Sequence, residues 1–342
     1  MPINQTMKYE ELDTYIHSLP NQPEAIPYIT SYYNKTWGFC MSHNLRESLR
    51  KEPKKEFKVI IDSTLKKGEL RYGEILIPGK SDKEILLSTY ICHPSMANNE
   101  LSGPVVTMAL INWIKKEQYQ SNFSYRILFI PETIGSIAYL SKYYETMKRK
   151  TIAGYVITCV GDNRDYSFIP SRNGNTLSDR VAKHVLNYHY PSFKQYTFLD
   201  RGSDERQYCS PGIDLPIASI CRSKYGEYPE YHTSLDNLDL ISEDGLTGSF
   251  LVYKKCLTII NSNNKYKTNI LCEPHLSKYG LYPTISTKNT KNTSQGLMNI
   301  IAYLDGERDL VDLGNEIKMD VLDILPIVNR LKGLKIIEEI KI

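Results

Sequence analysis

The 342-residue sequence lacks the marks of several large protein classes. No apolar run approaches the ~20 residues a membrane span requires, and the N-terminal MPINQTMKYEELDTY has no basic stretch leading into an apolar one. A soluble, cytoplasmic protein is therefore expected. No Cys-x-x-Cys pair occurs among the seven cysteines. An odd number without close pairs argues against a disulfide framework or a zinc knuckle and fits a reducing compartment. Charge of one sign is not in excess, with 42 basic and 39 acidic residues, so no polyanionic partner is expected. The glycine patterns G-x-G-x-x-G and G-x-x-x-x-G-K-[ST] are absent, so no nucleotide cofactor is indicated. Ser102, in ELSGP, lacks the G-x-S-x-G elbow of a serine nucleophile. Cys92 and His93 are neighbours at the end of an expected strand, where alternation would send them to opposite faces and prevent pairing.

Short apolar segments that alternate with helix-length segments dominate the middle of the chain. EILLSTYICH, YRILFIPE, IAGYVITCVGD and LPIASICR read as strands. GPVVTMALINWIKKE, SIAYLSKYYETMKRK and ISEDGLTGSFLVYKKCLTIINS read as helices. This pattern predicts an α/β domain with a mixed, mostly parallel sheet and helices on both faces, spanning residues 76–283. Residues 1–75 read as a small β-rich unit, in which FKVIIDSTLKKGELRYGEILIPG forms two strands joined by a turn at Lys67-Gly68. The polar TISTKNTKNTSQ, residues 284–295, reads as a linker. Residues 296–342 read as a winged helix-turn-helix.

Ligands of such sheets sit beyond the carboxyl ends of the strands. Those ends carry His93, Glu132 and Asp162, and the loop after LPIASICR carries Tyr231-His232-Thr233-Ser234-Leu235-Asp236. Taken singly, each has an ordinary structural role open to it: a strand-end histidine, a helix cap, a turn residue, a helix flank. Together they place two imidazoles and two carboxylates at one edge. Imidazole nitrogens and carboxylate oxygens can hold a divalent ion and lower the pKa of its water toward ~7.

The order His93-Pro94, Asn98-Asn99-Glu100-Leu101-Ser102-Gly103, Pro131-Glu132-Thr133, Gly161-Asp162, Ser203-Asp204-Glu205 and Tyr231-His232 resembles the zinc-dependent aminopeptidase family, whose fold is phosphorylase/hydrolase-like. More narrowly, it resembles a bacterial subfamily often encoded beside surface-polysaccharide biosynthesis genes. That subfamily carries a small inserted domain with a segment like Trp37-Gly38-Phe39-Cys40, and it ends in a winged helix. Its members usually have further sequence before the point matching Met1, so the resemblance implies that the start of the peptidase domain is missing here.

The resemblance implies that His93 and Asp162 bind one metal, that Glu132 is the general base, and that His232 binds a second metal. Asn99 stands where the family has a bridging aspartate, and Thr133 where it has a glutamate ligand. With two anionic ligands gone, one zinc ion rather than two is expected, held by His93, Asp162 and His232 with help from Asn99 or Glu132. Asp204, Glu205 and Arg206 are implied near the substrate, with the Ser203-Asp204 pair supporting the metal centre. Arg201, Arg206 and Arg222 could hold a substrate carboxylate or phosphate. The expected substrate is a small peptide or an amino-sugar amide. The alternative is a binding or scaffold protein with a lapsed metal site.

The C-terminal segment argues against nucleic acid as a partner. From Gly296 to Ile342 it holds six Lys or Arg and nine Asp or Glu. The helix that would enter a groove starts near Asp320 and carries Asp323, at the end from which bases are read. Packing, or a homo-oligomer formed through this module, is expected instead.

Overall fold

The computed structural model describes residues 1–93, 95–117, 121–281 and 288–340. Four strands form the parallel heart of a seven-stranded sheet: Phe123–Ile130, Ser81–Tyr90, Thr151–Val156 and Ile217–Cys221, adjacent in that order. Gly73–Ile77 adds antiparallel to Phe123–Ile130 at one edge. Ser167–Ile169 adds antiparallel to Ile217–Cys221 at the other, followed by Lys194–Gln195.

The strand Ser81–Tyr90 is buried without a break from Glu84 to Tyr90, as a parallel strand covered on both faces must be. Its side chains alternate between two cores. Ile85 and Leu87 pack with residues of the helices Ser102–Glu117, Leu177–His189 and Glu243–Ser262. Leu86 packs on the other face with Tyr139, Leu140 and Met147 of the helix Ile134–Lys150. This is the mixed, mostly parallel sheet between helical layers that the sequence pattern predicts.

The N-terminal unit departs from the predicted hairpin. Glu56–Ile61 pairs antiparallel with Ile3–Lys8, while Gly73–Ile77 belongs to the main sheet. Eleven residues of chain between them carry them apart rather than turning one back on the other. A small core of Met7, Tyr9, Leu12, Ile16 and Val59 holds the unit together. Trp37 stacks on Tyr15 at 4.0 Å, and a Cβ on Gly38 would sit 2.7 Å from the Tyr15 carbonyl, so the turn after the tryptophan needs glycine.

The C-terminal module is a winged helix that reaches further back than the polar stretch. Its three-stranded sheet places Lys265–Thr268 between Asp305–Asp309 and Ile337–Ile340. Of the expected linker, 284–287 lie outside the described residues, and the rest joins the helix Lys288–Ala302. Leu310, Val311, Val321 and Ile324 share one continuous core with Val181, Val185 and Leu257 of the α/β domain. Polar contacts reinforce the seam. Arg180 donates to Asp309 and to Asp312, each at 2.6 Å. His184 Nε2 accepts the Val321 N–H at 3.0 Å, and His189 Nε2 lies 2.9 Å from Asp320. The N-terminal end of the helix Val321–Gly333 is thereby packed onto the helix Leu177–His189. Among the described residues, no helix is long and apolar enough to cross a membrane.

Candidate active site

The loops beyond the carboxyl ends of the four parallel strands carry the candidate residues His93, Glu132, Asp162 and His232. The strand Ser81–Tyr90 stops two residues before Cys92, so the alternation of side chains stops too. Cys92 Sγ consequently lies 3.1 Å from His93 Nδ1, which corrects the expectation that the two face apart. The Glu132 backbone N–H donates to the same sulfur at 3.2 Å. Cys92, His93 and Glu132 are the one group among the described residues whose donor atoms all lie within 4.8 Å of one another.

His93 Nδ1 also lies 3.2 Å from Glu100 Oε2, a buried carboxyl that fixes the ring from behind. Burial alone would strip the proton from His93. The bonds to Cys92 and Glu100 outweigh burial and carry its pKa up to about 10. His232 behaves in the opposite way. Burial, and then the charge on His93, pushes its pKa down to about 4, leaving a neutral imidazole. Its Nε2 is buried with no hydrogen-bond partner. The two rings lie 5.3 Å apart, and Tyr28 from the N-terminal unit sits 5.4 Å from one and 4.9 Å from the other.

Two residues at the site hold left-handed backbone, His232 at φ 56° and Thr133 at φ 62°. Non-glycine residues keep such angles only where the surroundings impose them. For His232 the imposing contact is a strap from the N-terminal unit. Tyr28 N–H donates to the His232 carbonyl at 3.0 Å, and Ser234 N–H donates to the Ile26 carbonyl at 2.9 Å. For Thr133 it is Asp204, whose Oδ1 accepts the Thr133 N–H at 2.7 Å and the Ser136 hydroxyl at 2.8 Å.

Asn99 is buried on a turn, Ala97–Leu101, that opens the helix Ser102–Glu117. Its amide donates to the Tyr90 hydroxyl at 2.9 Å, while its Oδ1 has no partner. Asp236 orients that turn by accepting the backbone N–H groups of Asn98 at 2.6 Å and Asn99 at 3.0 Å, and the Tyr228 hydroxyl at 2.9 Å. Nothing in the sequence singled out Asn98, Glu100 or Asp236 as orienting residues.

Asp162 is not gathered with the histidines. Its carboxyl accepts from Asn98 Nδ2 at 3.0 Å, from the Ser223 N–H and hydroxyl at 2.9 Å each, and from the Arg164 N–H at 3.0 Å. Those four bonds occupy both oxygens, so the set His93, Asp162 and His232 expected from the sequence is not the set this structure assembles. The substrate-side residues differ as well. Asp204 and Glu205 are fully buried. Burial, with repulsion from Glu132, pushes the Asp204 carboxyl up to about 7. Glu205 Oε1 is spent on the backbone of Gly202 and Ser203 and on Tyr225. Arg222 is buried and donates to the Asp162 carbonyl. Of the arginines considered, Arg206 lies at the surface beside the site, where it donates to Thr133 Oγ1 at 2.7 Å.

The donor chemistry suits a divalent cation. A neutral imidazole with an unpartnered, buried nitrogen (His232) and an amide oxygen without a donor (Asn99) are what a cation would satisfy. A carboxyl behind the other ring (Glu100 on His93) is the usual orienting contact of a metal-binding histidine. Burial raises the pKa of Glu132 against the lowering pull of His93, Ser203 and Arg206.

Comparison with known proteins agrees with this architecture. A protein of Clostridium acetobutylicum, provisionally named a polysaccharide biosynthesis protein with aminopeptidase-like domain, is 39% identical over 324 residues, covering 94% of this chain and 73% of that one. A crystal structure from the same organism, provisionally named a peptidase, superposes with a TM-score of 0.91 at 35% identity, over 99% of this chain and 76% of that chain. BSAP, a zinc aminopeptidase from Bacillus subtilis, shares the fold at a TM-score of 0.51 and 13% identity, over 74% of this chain and 67% of that chain. Residues 264–339 match the winged helix-turn-helix model. Residues 10–263 match the model described as a domain of unknown function, DUF4910, and the chain belongs to that aminopeptidase-like family.

Proposed function

We propose that the chain is a metal-dependent hydrolase of the aminopeptidase type, cleaving an amide bond in a small peptide or an amino-sugar amide, and that it serves surface-polysaccharide biosynthesis. The observation that carries this reading is His232 Nε2: buried, unpartnered, neutral, on a ring 5.3 Å from that of His93. His93, His232 and Asn99 Oδ1 would hold one ion, which supplies a Lewis acid for the substrate carbonyl and acidifies water. Glu132 takes the proton from water and returns it to the leaving amine. Burial helps the first step, because a carboxylate out of water binds a proton more readily. Asp204 holds the Thr133 turn and so fixes where Glu132 points. Tyr28 closes the pocket from the N-terminal side and limits substrate size.

A second reading has specific support. Asn99 and Thr133 stand where the resembling enzymes carry acids, and Asp162 is committed to hydrogen bonds, which would suit a binding protein with a lapsed site. Metal content of the purified full chain separates the two. About one zinc per chain, lost in both His93→Ala and His232→Ala, supports the hydrolase and justifies screening aminoacyl and N-acyl-sugar amides. No metal after zinc is supplied supports the binding protein.

A further inference from the structure

We propose that Cys92 is a metal ligand, supplying as a thiolate the negative charge that Asn99 and Thr133 do not. The inference rests on the metal-site reading above and deepens it. Three observations support it independently of that reading. Cys92 Sγ, a His93 nitrogen and a Glu132 oxygen lie within 4.8 Å of one another. Sγ lies 3.1 Å from His93 Nδ1, so the sulfur stands directly against the ring. The sulfur is aimed by a built contact, since the Glu132 N–H donates to it at 3.2 Å.

Charge completes the argument. His232 and Asn99 are neutral donors, and His93 binds a metal only after losing its proton. A dication among three neutral donors is poorly compensated in a buried site. Cys92 lies on the open side of the pocket, whereas Asp162 is already saturated with hydrogen bonds. On coordination the thiol proton passes to solvent and the sulfur lone pair forms the new bond, with no change of oxidation state. Glu132 need not bind the ion and stays free for water.

Cobalt(II) added to the metal-free full chain tests this without any substrate. The expected spectrum has visible ligand-field bands and a near-ultraviolet thiolate-to-cobalt charge-transfer band. Cys92→Ser should abolish the charge-transfer band, keep the ligand-field bands and weaken binding about tenfold or more. Cys92→Ala should do the same, and circular dichroism would confirm that both variants fold. Cobalt bound in a His93-dependent way without a charge-transfer band would overturn the role of Cys92 alone. A charge-transfer band that persists in both variants would also overturn it, by assigning the sulfur to another cysteine. No cobalt uptake by the parent chain would overturn the metal-site reading itself.

Discussion

Asp236 offers the sharpest test of how the site is held. It reaches Asn99 only through that residue's backbone, and its carboxyl accepts three buried donors: the N–H groups of Asn98 and Asn99 and the Tyr228 hydroxyl. Asp236→Ala removes all three acceptors while the donors remain in place. An orphaned buried donor costs about 1–3 kcal/mol, so the sum, reduced by relaxation and entering water, is roughly 3–5 kcal/mol. At about 2 °C per kcal/mol for a chain of this size, the melting temperature should fall roughly 6–10 °C. The same change frees the turn that carries Asn99, so zinc affinity should fall about 10–100-fold, as for other residues that orient ligands. Scanning calorimetry gives the first number, and competition with a chromophoric chelator gives the second. A variant within about 0.5 kcal/mol of the parent, with unchanged zinc affinity, would refute the claim that these bonds set the turn.

Three further outcomes are expected. Asp13 accepts from Arg46 at 2.7 Å and from Arg50 at 2.8 Å; those bonds outweigh burial and hold its pKa well below the usual carboxylate range. Its contribution is present above pH ~3.9 and is lost as pH falls further, so Trp37 fluorescence in a Trp113→Phe background should report an acid transition of the N-terminal unit that Asp13→Asn removes. Arg180→Ala leaves Asp309 without its partner at the seam, should cost about 1.5–3 kcal/mol, and should speed protease cleavage between the α/β domain and the winged helix. Gly103→Ala puts a Cβ 2.4 Å from the Ile157 carbonyl and from Thr89 Oγ1, and this overpacking should cost about 1–3 kcal/mol or more in thermal unfolding.

The sheet and the strand-end residues were legible because apolar strands and helices leave a period in the sequence, and because a charged residue stands out where the period ends. The limits have physical causes. Alternation applies only inside a strand, and extending it past Tyr90 separated Cys92 from His93 when the loop joins them. Glu56–Ile61 and Gly73–Ile77 each look like strands, but pairing is decided by distant partners, Ile3–Lys8 and Phe123–Ile130. Lys265–Thr268 lies before the polar stretch, so composition could not assign it to the winged helix. Asn98, Glu100 and Asp236 act through backbone and ring contacts, which have no period at all. Asp162 was visible as a strand-end acid, but the four donors that claim it come from three separate loops.

The strap that carries Tyr28 has a consequence for the newly made chain. Ile26 and Ser234, which bond each other across the rim of the pocket, are 208 residues apart in sequence. The wall at residue 28 is synthesised well before the loop it must grip, which follows about 200 residues later in the chain. Closing so long a loop carries an entropic cost that grows only slowly with its length, so distance delays the closure more than it weakens it. A nascent chain that stops short of His232 therefore has no rim. The rim closes in one late step, when these two distant segments meet.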